Sequence, residues 1–99
     1  MASILCCCAN GSGTSLMMAM TLEKVIKQQG YSKVSKTHHC SLSEGKNTSM
    51  SYDIVLCPQN FTNMFKAAEA KGVKVIGMKN VMSPKEMTEK LENCGVELK

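Results

Sequence analysis

The chain contains no tryptophan and no arginine, so all 12 of its basic residues are lysines. Only 4% of its residues are aromatic, and the lysines are scattered along the chain rather than clustered. Nucleic-acid binding depends on stacking aromatic side chains and on concentrated positive charge. The sequence therefore predicts no nucleic-acid partner, whereas its formal net charge of +4 suits phosphorylated or acidic partners.

Long apolar segments are also missing. The longest apolar run, Ile4 to Ala9, is far shorter than the ~20 residues of a membrane-spanning helix. The N-terminus lacks the basic region and long apolar stretch of a secretory signal. We therefore expect a cytoplasmic protein with no direct membrane insertion, folded as a single domain over residues 1–99.

The six cysteines contain no C-x-x-C pair, which leaves a zinc site with little support. Cys6, Cys7 and Cys8 are consecutive in an apolar run, where neighbouring side chains of a strand point to opposite faces and cannot easily form disulfides. Reduced thiols in a reducing compartment are the better interpretation. Cys6 and Cys7 are expected to pack in the core.

The sequence also holds a short cluster of potential metal ligands, namely His38, His39 and Cys40. No further ligands lie nearby in sequence, so a polar edge strand is the favoured interpretation of this segment. We predict no metal site and no cofactor.

Hydrophobic patterning predicts alternating strands and helices. Short apolar runs bounded by turn residues predict strands, and i, i+3, i+4, i+7 spacing predicts helices. The predicted strands are 3–8, 33–40, 53–57 and 73–78, the helices are 15–29, 61–71 and 84–94, and 41–51 is a loop or short irregular segment. This order indicates an α/β fold with a parallel sheet, in which ligands bind at the carboxyl ends of the strands near a topological switch point. The carboxyl end of the first strand is Cys8.

A glycine-rich loop joins the first strand to the first helix. Gly11 and Gly13 allow positive φ, so that backbone N–H groups turn inward, and the helix N-terminus adds partial positive charge. Such a loop suits phosphate. The predicted site consists of the nucleophile Cys8 and the phosphate-binding loop Ala9, Asn10, Gly11, Ser12, Gly13, Thr14 and Ser15. We expect the cradle to lower the pKa of the Cys8 thiol.

Several alternatives fit parts of this pattern. The segment could be a tight turn with a buried cysteine, or a non-catalytic module that binds an anion or senses oxidation through Cys8. The spacing also resembles the loop of cysteine phosphatases. In those enzymes the sixth residue after the cysteine is an arginine that holds the phosphoryl group, whereas in this chain it is Thr14. The chain also lacks the Asp-Pro pair that supplies a phosphatase's general acid. A site that accepts a phosphoryl group but is poorly equipped to hydrolyse the product is a relay.

The loop resembles the phosphocysteine loop of enzyme IIB components of the bacterial phosphoenolpyruvate-dependent sugar phosphotransferase system. The resemblance is to the galactitol/ascorbate class, with the ascorbate type closest. It rests on Cys8-Ala9-Asn10-Gly11-Ser12-Gly13-Thr14-Ser15-Leu16-Met17, on Val75-Ile76-Gly77-Met78-Lys79-Asn80-Val81-Met82-Ser83-Pro84, on His39-Cys40 and on Asp53-Ile54-Val55. Ala9 and Thr14 stand where the family pattern has glycine and serine.

The resemblance implies both a fold and a reaction. The implied fold is a four-stranded parallel sheet of order 2-1-3-4, flanked by helices in a Rossmann-like three-layer arrangement. In the implied reaction, Cys8 accepts a phosphoryl group from a phosphohistidine of a cytoplasmic IIA component. It then passes the group to an ascorbate-type sugar bound at a membrane IIC component during uptake.

Two further groups of residues are placed near the site by the predicted topology. Pro58, Gln59 and Asn60 follow the third strand and are candidates for the rim of the site, while Cys57 at the end of that strand is expected to pack structurally. Met17 and Met20 lie off the buried stripe of the first helix, where a soft apolar surface would suit partner docking. Packing in the core is the more conservative interpretation of these methionines.

Overall fold

The structure is a computed structural model and describes residues 2–8, 14–96 and 98. Four strands alternate with helices along the chain. The strands are β1 (Ala2–Cys8), β2 (Val34–Ser41), β3 (Ile54–Pro58) and β4 (Lys74–Met78), and the α-helices are α1 (Thr14–Gln29), α2 (Leu42–Thr48), α3 (Lys66–Ala70) and α4 (Pro84–Glu92). Short 3-10 helices cover Ser49–Ser51 and Gln59–Phe65. The predicted strand ends agree with these bounds to within one residue.

The four strands form one parallel sheet in the order β2-β1-β3-β4. This arrangement confirms the predicted fold class and strand order. After β1 the chain forms β2 on one side of β1, and it then crosses over to form β3 on the other side. The carboxyl end of β1 is therefore the topological switch point at which ligands of such sheets bind.

The sheet buries both of its faces. Alternate residues of β1 contribute to two separate hydrophobic clusters, because successive side chains of a strand point to opposite faces. Ile4, Cys6 and Cys8 pack with α1 and α4, while Leu5 and Cys7 pack with α2 and α3. Burial on both faces explains why β1 is a continuous apolar run rather than an alternating one.

The segment 41–51, predicted as a loop or short irregular segment, instead forms α2 and a 3-10 turn. The Ser41 side chain caps α2 by accepting a hydrogen bond from the Glu44 N–H. Gly45 is buried, and a Cβ atom at this position would overlap the Cys7 Sγ atom. The helix therefore docks through Gly45 and the single apolar residue Leu42 rather than through an apolar stripe, which is why the hydrophobic pattern fails to predict it.

The predicted helix 61–71 is also only partly correct. The chain forms the 3-10 helix Gln59–Phe65 followed by the short helix α3. Phe65 and Ala68 are buried as expected. Residues three apart share a face in both kinds of helix, so apolar spacing over a short segment does not distinguish between them.

Candidate active site

Cys8 is the last residue of β1 and lies between the carboxyl ends of β2 and β3. It is opposite Ser41 in the register with β2, and the register with β3 runs up to the pair Cys6 and Leu56. The next described element, α1, begins at Thr14 on the same edge of the sheet. The predicted loop residues Ala9, Asn10, Gly11, Ser12 and Gly13 lie outside the described residues, as do the side chains of Thr14 and Ser15.

Burial sets the acidity of the Cys8 thiol in the structure. Cys8 is only 1% exposed, and this burial raises its pKa to about 11. The expectation that its pKa lies below that of a free thiol is therefore wrong for this structure, because burial penalises the charged thiolate. A thiol with this pKa carries its proton at neutral pH, so its chemistry requires a group that takes the proton.

The carboxyl end of β3 places a second thiol near the first. Burial and, to a lesser degree, the charge of Cys8 raise the pKa of Cys57 to about 12. The Cys57 thiol lies 3.7 Å from the Ile76 carbonyl oxygen, to which it donates a weak hydrogen bond. This fully buried, protonated thiol is part of the core of the α2 and α3 face, which agrees with the packing role predicted for it.

The predicted rim residues follow directly after Cys57. Pro58 is half-buried, whereas Gln59 and Asn60 are exposed at the start of the 3-10 helix. Gly77 of β4 permits a close approach, because a Cβ atom there would lie 2.7 Å from Thr62 Cγ2 and 3.0 Å from Gln59 Cα. The 3-10 helix is therefore held against β4, with its first residues at the same edge of the sheet as Cys8.

Comparison with known proteins places this architecture in a family. A family model described as the lactose/cellobiose-specific IIB subunit of the sugar phosphotransferase system (PTS) matches residues 3–93. The chain belongs to the PTS IIB family. The ascorbate-specific PTS EIIB component of Mycoplasma pneumoniae is 32% identical over 88 residues, which are 89% of this chain and 88% of that protein.

A solved structure supports the fold of this IIB chain. The lactose-specific IIB component domain of Streptococcus pneumoniae superimposes with a TM-score of 0.70 at 18% identity, covering 96% of this chain and 98% of that domain. As a PTS IIB protein, the chain is a phosphotransferase that acts in sugar transport. No helix among the described residues of this IIB protein is long and apolar enough to cross a membrane.

Further thiols of the IIB chain lie in the sheet one residue before the level of Cys8. Cys7 lies opposite Cys40 of β2, with 3.7 Å between the two Sγ atoms. Burial, followed by the nearby thiols, raises the pKa of Cys7 far above its usual value. All six cysteines carry free thiols. The position of Cys6 and Cys7 in the two hydrophobic clusters confirms their predicted packing role.

The two histidines lie on β2, which is one of the two edge strands of the IIB sheet. Their rings stack with a centroid separation of 6.0 Å. The buried Nδ1 atom of His39 has no hydrogen-bond partner among the described residues. Within the described ranges, no group of three or more His, Cys, Asp or Glu side chains is arranged to hold a metal ion.

The loop between β4 and α4 is organised by the carboxylate of Glu86, in the first turn of α4. Glu86 accepts hydrogen bonds from the backbone N–H groups of Lys79 (2.8 Å) and Asn80 (2.9 Å), while its own N–H donates to the Ser83 Oγ atom. Partial burial raises the pKa of Glu86, but the two N–H donors and nearby lysines outweigh it and hold the pKa below its usual value. Glu86 therefore fixes the 79–83 loop at the active-site edge.

Replacement of Glu86 by alanine is expected to lower the free energy of unfolding by about 1–2 kcal/mol, because two backbone donors lose a charged acceptor. The difference between wild type and variant should be full near pH 7 and should shrink as the pH falls through the lowered pKa of Glu86, where its carboxylate is protonated. Urea titrations of wild type and Glu86→Ala at several pH values measure this difference in the free energy of unfolding. Glu89→Ala, on the exposed side of the same helix, is the control, and equal losses in both variants would contradict the assigned role.

Proposed function

We propose that Cys8 is the residue of this IIB protein that carries the phosphoryl group between a IIA donor and a sugar bound at a membrane IIC component. The observation that supports the proposal most strongly is the position of the thiol. It ends the inner strand β1 at the switch point of the sheet, and α1 starts at the same edge. A phosphoryl group on this sulfur would face the N-terminus of α1, whose partial positive charge favours an anion.

The first step joins a protonated thiol to a labile donor. The Cys8 sulfur attacks the phosphorus of the donor's phosphohistidine, the S–P bond forms and the N–P bond breaks. The imidazole nitrogen that loses phosphorus receives an electron pair, and it takes the proton that leaves the thiol. Because burial raises the pKa of the Cys8 thiol to about 11, the thiol must lose its proton in this step, and the net reaction delivers that proton to the released imidazole.

The second step returns the thiol to its starting state. A hydroxyl oxygen of the sugar attacks phosphorus, the O–P bond forms and the S–P bond breaks. The sulfur ends with the proton that the hydroxyl loses. Protonation of the departing sulfur is favoured by the same burial that raises its pKa.

Other parts of the proposal are supported by the family and by a relative within it. The ascorbate-specific component of Mycoplasma pneumoniae supports an ascorbate-type sugar as the acceptor. Residues Ala9 to Ser15 form the proposed phosphate-binding loop, and Pro58, Gln59 and Asn60 its proposed rim. We further propose that residues 1–99 act as one IIB domain in the cytoplasm, where a IIA component has access to it.

The proposal is tested by transfer from a defined donor. An ascorbate-type IIA protein, phosphorylated by phosphoenolpyruvate and the general phosphotransfer proteins, is expected to phosphorylate this chain. A lactose/cellobiose-type IIA protein, prepared in the same way, should be the poorer donor. The mass of the intact chain, measured over time, reports both reactions. Equal or better transfer from the lactose/cellobiose-type donor would contradict the ascorbate assignment.

Hydrolysis of simple phosphate esters should be negligible. The chain contains no arginine to clamp the equatorial oxygens and no Asp-Pro pair to protonate a leaving oxygen. Incubation with p-nitrophenyl phosphate is therefore expected to give no steady release of p-nitrophenol, and the isolated phosphorylated chain should persist long enough to meet a second protein. Steady turnover that disappears in Cys8→Ser would show a phosphatase instead of a relay.

A further inference from the structure

Cys7 and Cys40 form a pair of facing thiols inside the sheet. They are partners in the register of β1 and β2, and their Sγ atoms, 3.7 Å apart, are in hydrogen-bond contact. Both residues belong to the hydrophobic cluster on the α2 and α3 face. The thiol of Cys57, on the strand at the other side of β1, instead donates to the Ile76 carbonyl oxygen. Cys7 therefore has Cys40 as its sulfur partner.

The spacing of the two residues is compatible with a disulfide. Neighbouring strands lie about 4.7–4.9 Å apart, near the short end of the Cα separations of about 4.4–6.8 Å that disulfides span. The sulfur atoms of Cys7 and Cys40 would have to approach from 3.7 Å to about 2.05 Å. A bond formed near the short end of this range is more easily reduced than a relaxed structural disulfide. The pair therefore suits a reversible disulfide.

Access to the two thiols is controlled by α2, which lies over them. The helix has seven residues, of which Leu42 and Gly45 are buried. A Cβ atom at Gly45 would overlap the Cys7 Sγ atom and would lie 3.3 Å from the Cys40 Sγ atom, so the helix backbone covers both sulfurs. A helix this short, held by two buried residues, opens at a lower free energy than the whole fold. Each opening exposes the thiols to small molecules.

We propose that Cys7 and Cys40 are a modification site at which a hydroperoxide forms a reversible disulfide, and that this disulfide slows phosphoryl transfer at Cys8. The second part rests on the function proposed for Cys8. Cys8 and Ser41 follow the two thiols directly and are partners in the same register. Closing the sulfur gap shifts these strand ends, and a displacement of about 1 Å at reacting atoms can lower a rate by about 100-fold.

The oxidation takes place in two steps. The Cys40 sulfur attacks one oxygen of the hydroperoxide, the S–O bond forms and the O–O bond breaks. The second oxygen leaves as an alcohol or as water, once it takes the proton that the thiol lost. The Cys7 sulfur then attacks the sulfenic sulfur, the S–S bond forms, the S–O bond breaks, and the departing hydroxide takes the Cys7 proton to give water. Two thiols are oxidised and one hydroperoxide is reduced.

The contact between the thiols decides which of them reacts first. Burial raises the pKa of the Cys40 thiol, and the hydrogen bond from Cys7 partly offsets this effect. Burial raises the pKa of Cys7, and the interactions with Cys40 raise it further. Cys40 is therefore the thiol that ionises more easily when α2 opens, and Cys7 resolves the sulfenic acid.

The first test locates the disulfide. The full chain is treated with hydrogen peroxide, its remaining thiols are alkylated in denaturant, and peptides are mapped without reduction. Wild type should lose two of its six alkylatable thiols and should yield a link between Cys7 and Cys40 that dithiothreitol removes. Cys40→Ala and Cys40→Ser, two variants that differ in their effect on packing, should form no disulfide.

The second test measures transfer from phosphorylated ascorbate-type IIA in the same samples. Peroxide treatment should lower kcat/KM of wild type by about tenfold or more, and dithiothreitol should restore it. The Cys40 variants should keep their kcat/KM after the same treatment, whereas oxidation of Cys8 or of a methionine would lower transfer in them as well. Methionine sulfoxide is also not reduced by dithiothreitol.

The covering role of α2 has its own variant. Leu42→Ala should speed disulfide formation by about tenfold or more, because removal of a buried side chain lowers the free energy needed to open α2. Lys46→Ala, at an exposed position of the same helix, is the matched control and should leave the rate unchanged. Equal rates in the two variants would show that α2 does not control access to the thiols.

Three results would overturn the inference. In the first, wild type forms no disulfide or links another pair, such as Cys7 and Cys57. In the second, the Cys40 variants lose transfer as wild type does, which assigns the oxidation to Cys8. In the third, the disulfide forms and transfer is unchanged, which removes its effect on the reaction. If wild type is never phosphorylated on Cys8, the proposed function fails, and the peptide maps still test the disulfide.

Discussion

Replacing Cys8 by serine is expected to lower the rate of phosphoryl transfer from the IIA donor by about 10⁴-fold or more, as removal of a covalent nucleophile does elsewhere. The two side chains are nearly isosteric, so the variant should fold and should bind the donor normally, although the buried hydroxyl lowers its stability. A serine hydroxyl is a far weaker acceptor at neutral pH and cannot replace the thiol. Quenched-flow transfer measurements, together with a calorimetric titration of IIA, check both parts of this expectation.

The matched control for Cys8→Ser is Cys57→Ser, at the carboxyl end of the neighbouring strand. Cys57 is fully buried and packs on the α2 and α3 face of the sheet. This variant should lose stability, because a hydroxyl is buried in an apolar cluster, while its folded fraction should still accept the phosphoryl group. Loss of transfer in folded Cys57→Ser, with transfer retained in Cys8→Ser, would show that the account names the wrong thiol.

Alkaline pH should unfold the protein. Burial raises the pKa of Cys8 to about 11 and that of Cys57 to about 12, and it raises the pKa values of Cys6 and Cys7 further still. In the unfolded chain each thiol ionises near ~8.5. The folded state therefore binds more protons above that pH, so the stability that these thiols contribute is present below pH ~8.5 and is lost as the pH rises.

The expected effect is large because four buried thiols act together. Each contributes about 1.4 kcal/mol of lost stability per pH unit above ~8.5, so the free energy of unfolding should fall by up to about 5.5 kcal/mol per unit. A total stability of about 5–15 kcal/mol would then be exhausted between about pH 9.5 and pH 11. Urea titrations at pH 7.5, 9 and 10 measure the slope.

A variant that removes one buried thiol provides the control for the alkaline transition. Cys57→Ala should be less stable at pH 7.5, because it leaves a cavity. Its free energy of unfolding should nevertheless fall less steeply with pH than that of wild type. A free energy of unfolding that stays constant in wild type between pH 8 and 10 would contradict the burial of these thiols.

The hydrophobic pattern predicts the sheet correctly because its signals are local. The strands β1 and β3 are buried on both faces and are continuous apolar runs. The helix α4 begins at Pro84, as predicted, after the N-cap residue Ser83. The pattern fails at α2, where a helix docks through Gly45 against a sulfur atom. That fit depends on the distance between two elements, which no local pattern contains.

In the candidate site too, some features follow from local sequence patterns and others depend on tertiary packing. The position of Cys8 at a strand end and next to a helix start follows from local patterns alone. The pKa of Cys8 does not, because it depends on how deeply the assembled sheet and helices bury the thiol. The exposed surface formed by Met17, Met20 and Met82 is intermediate, since the helical spacing of Met17 and Met20 places them off the core stripe, but only the tertiary structure brings Met82 beside them.

The role of Cys8 as the phosphoryl carrier is tested most directly by peptide mapping of the wild-type chain after incubation with phosphoenolpyruvate, the general phosphotransfer proteins and ascorbate-type IIA. We expect a single phosphoryl group per chain, located on the peptide that contains Cys8 and absent from Cys8→Ser. A phosphoryl group on His38, His39 or Cys57, with Cys8 unmodified, would contradict it.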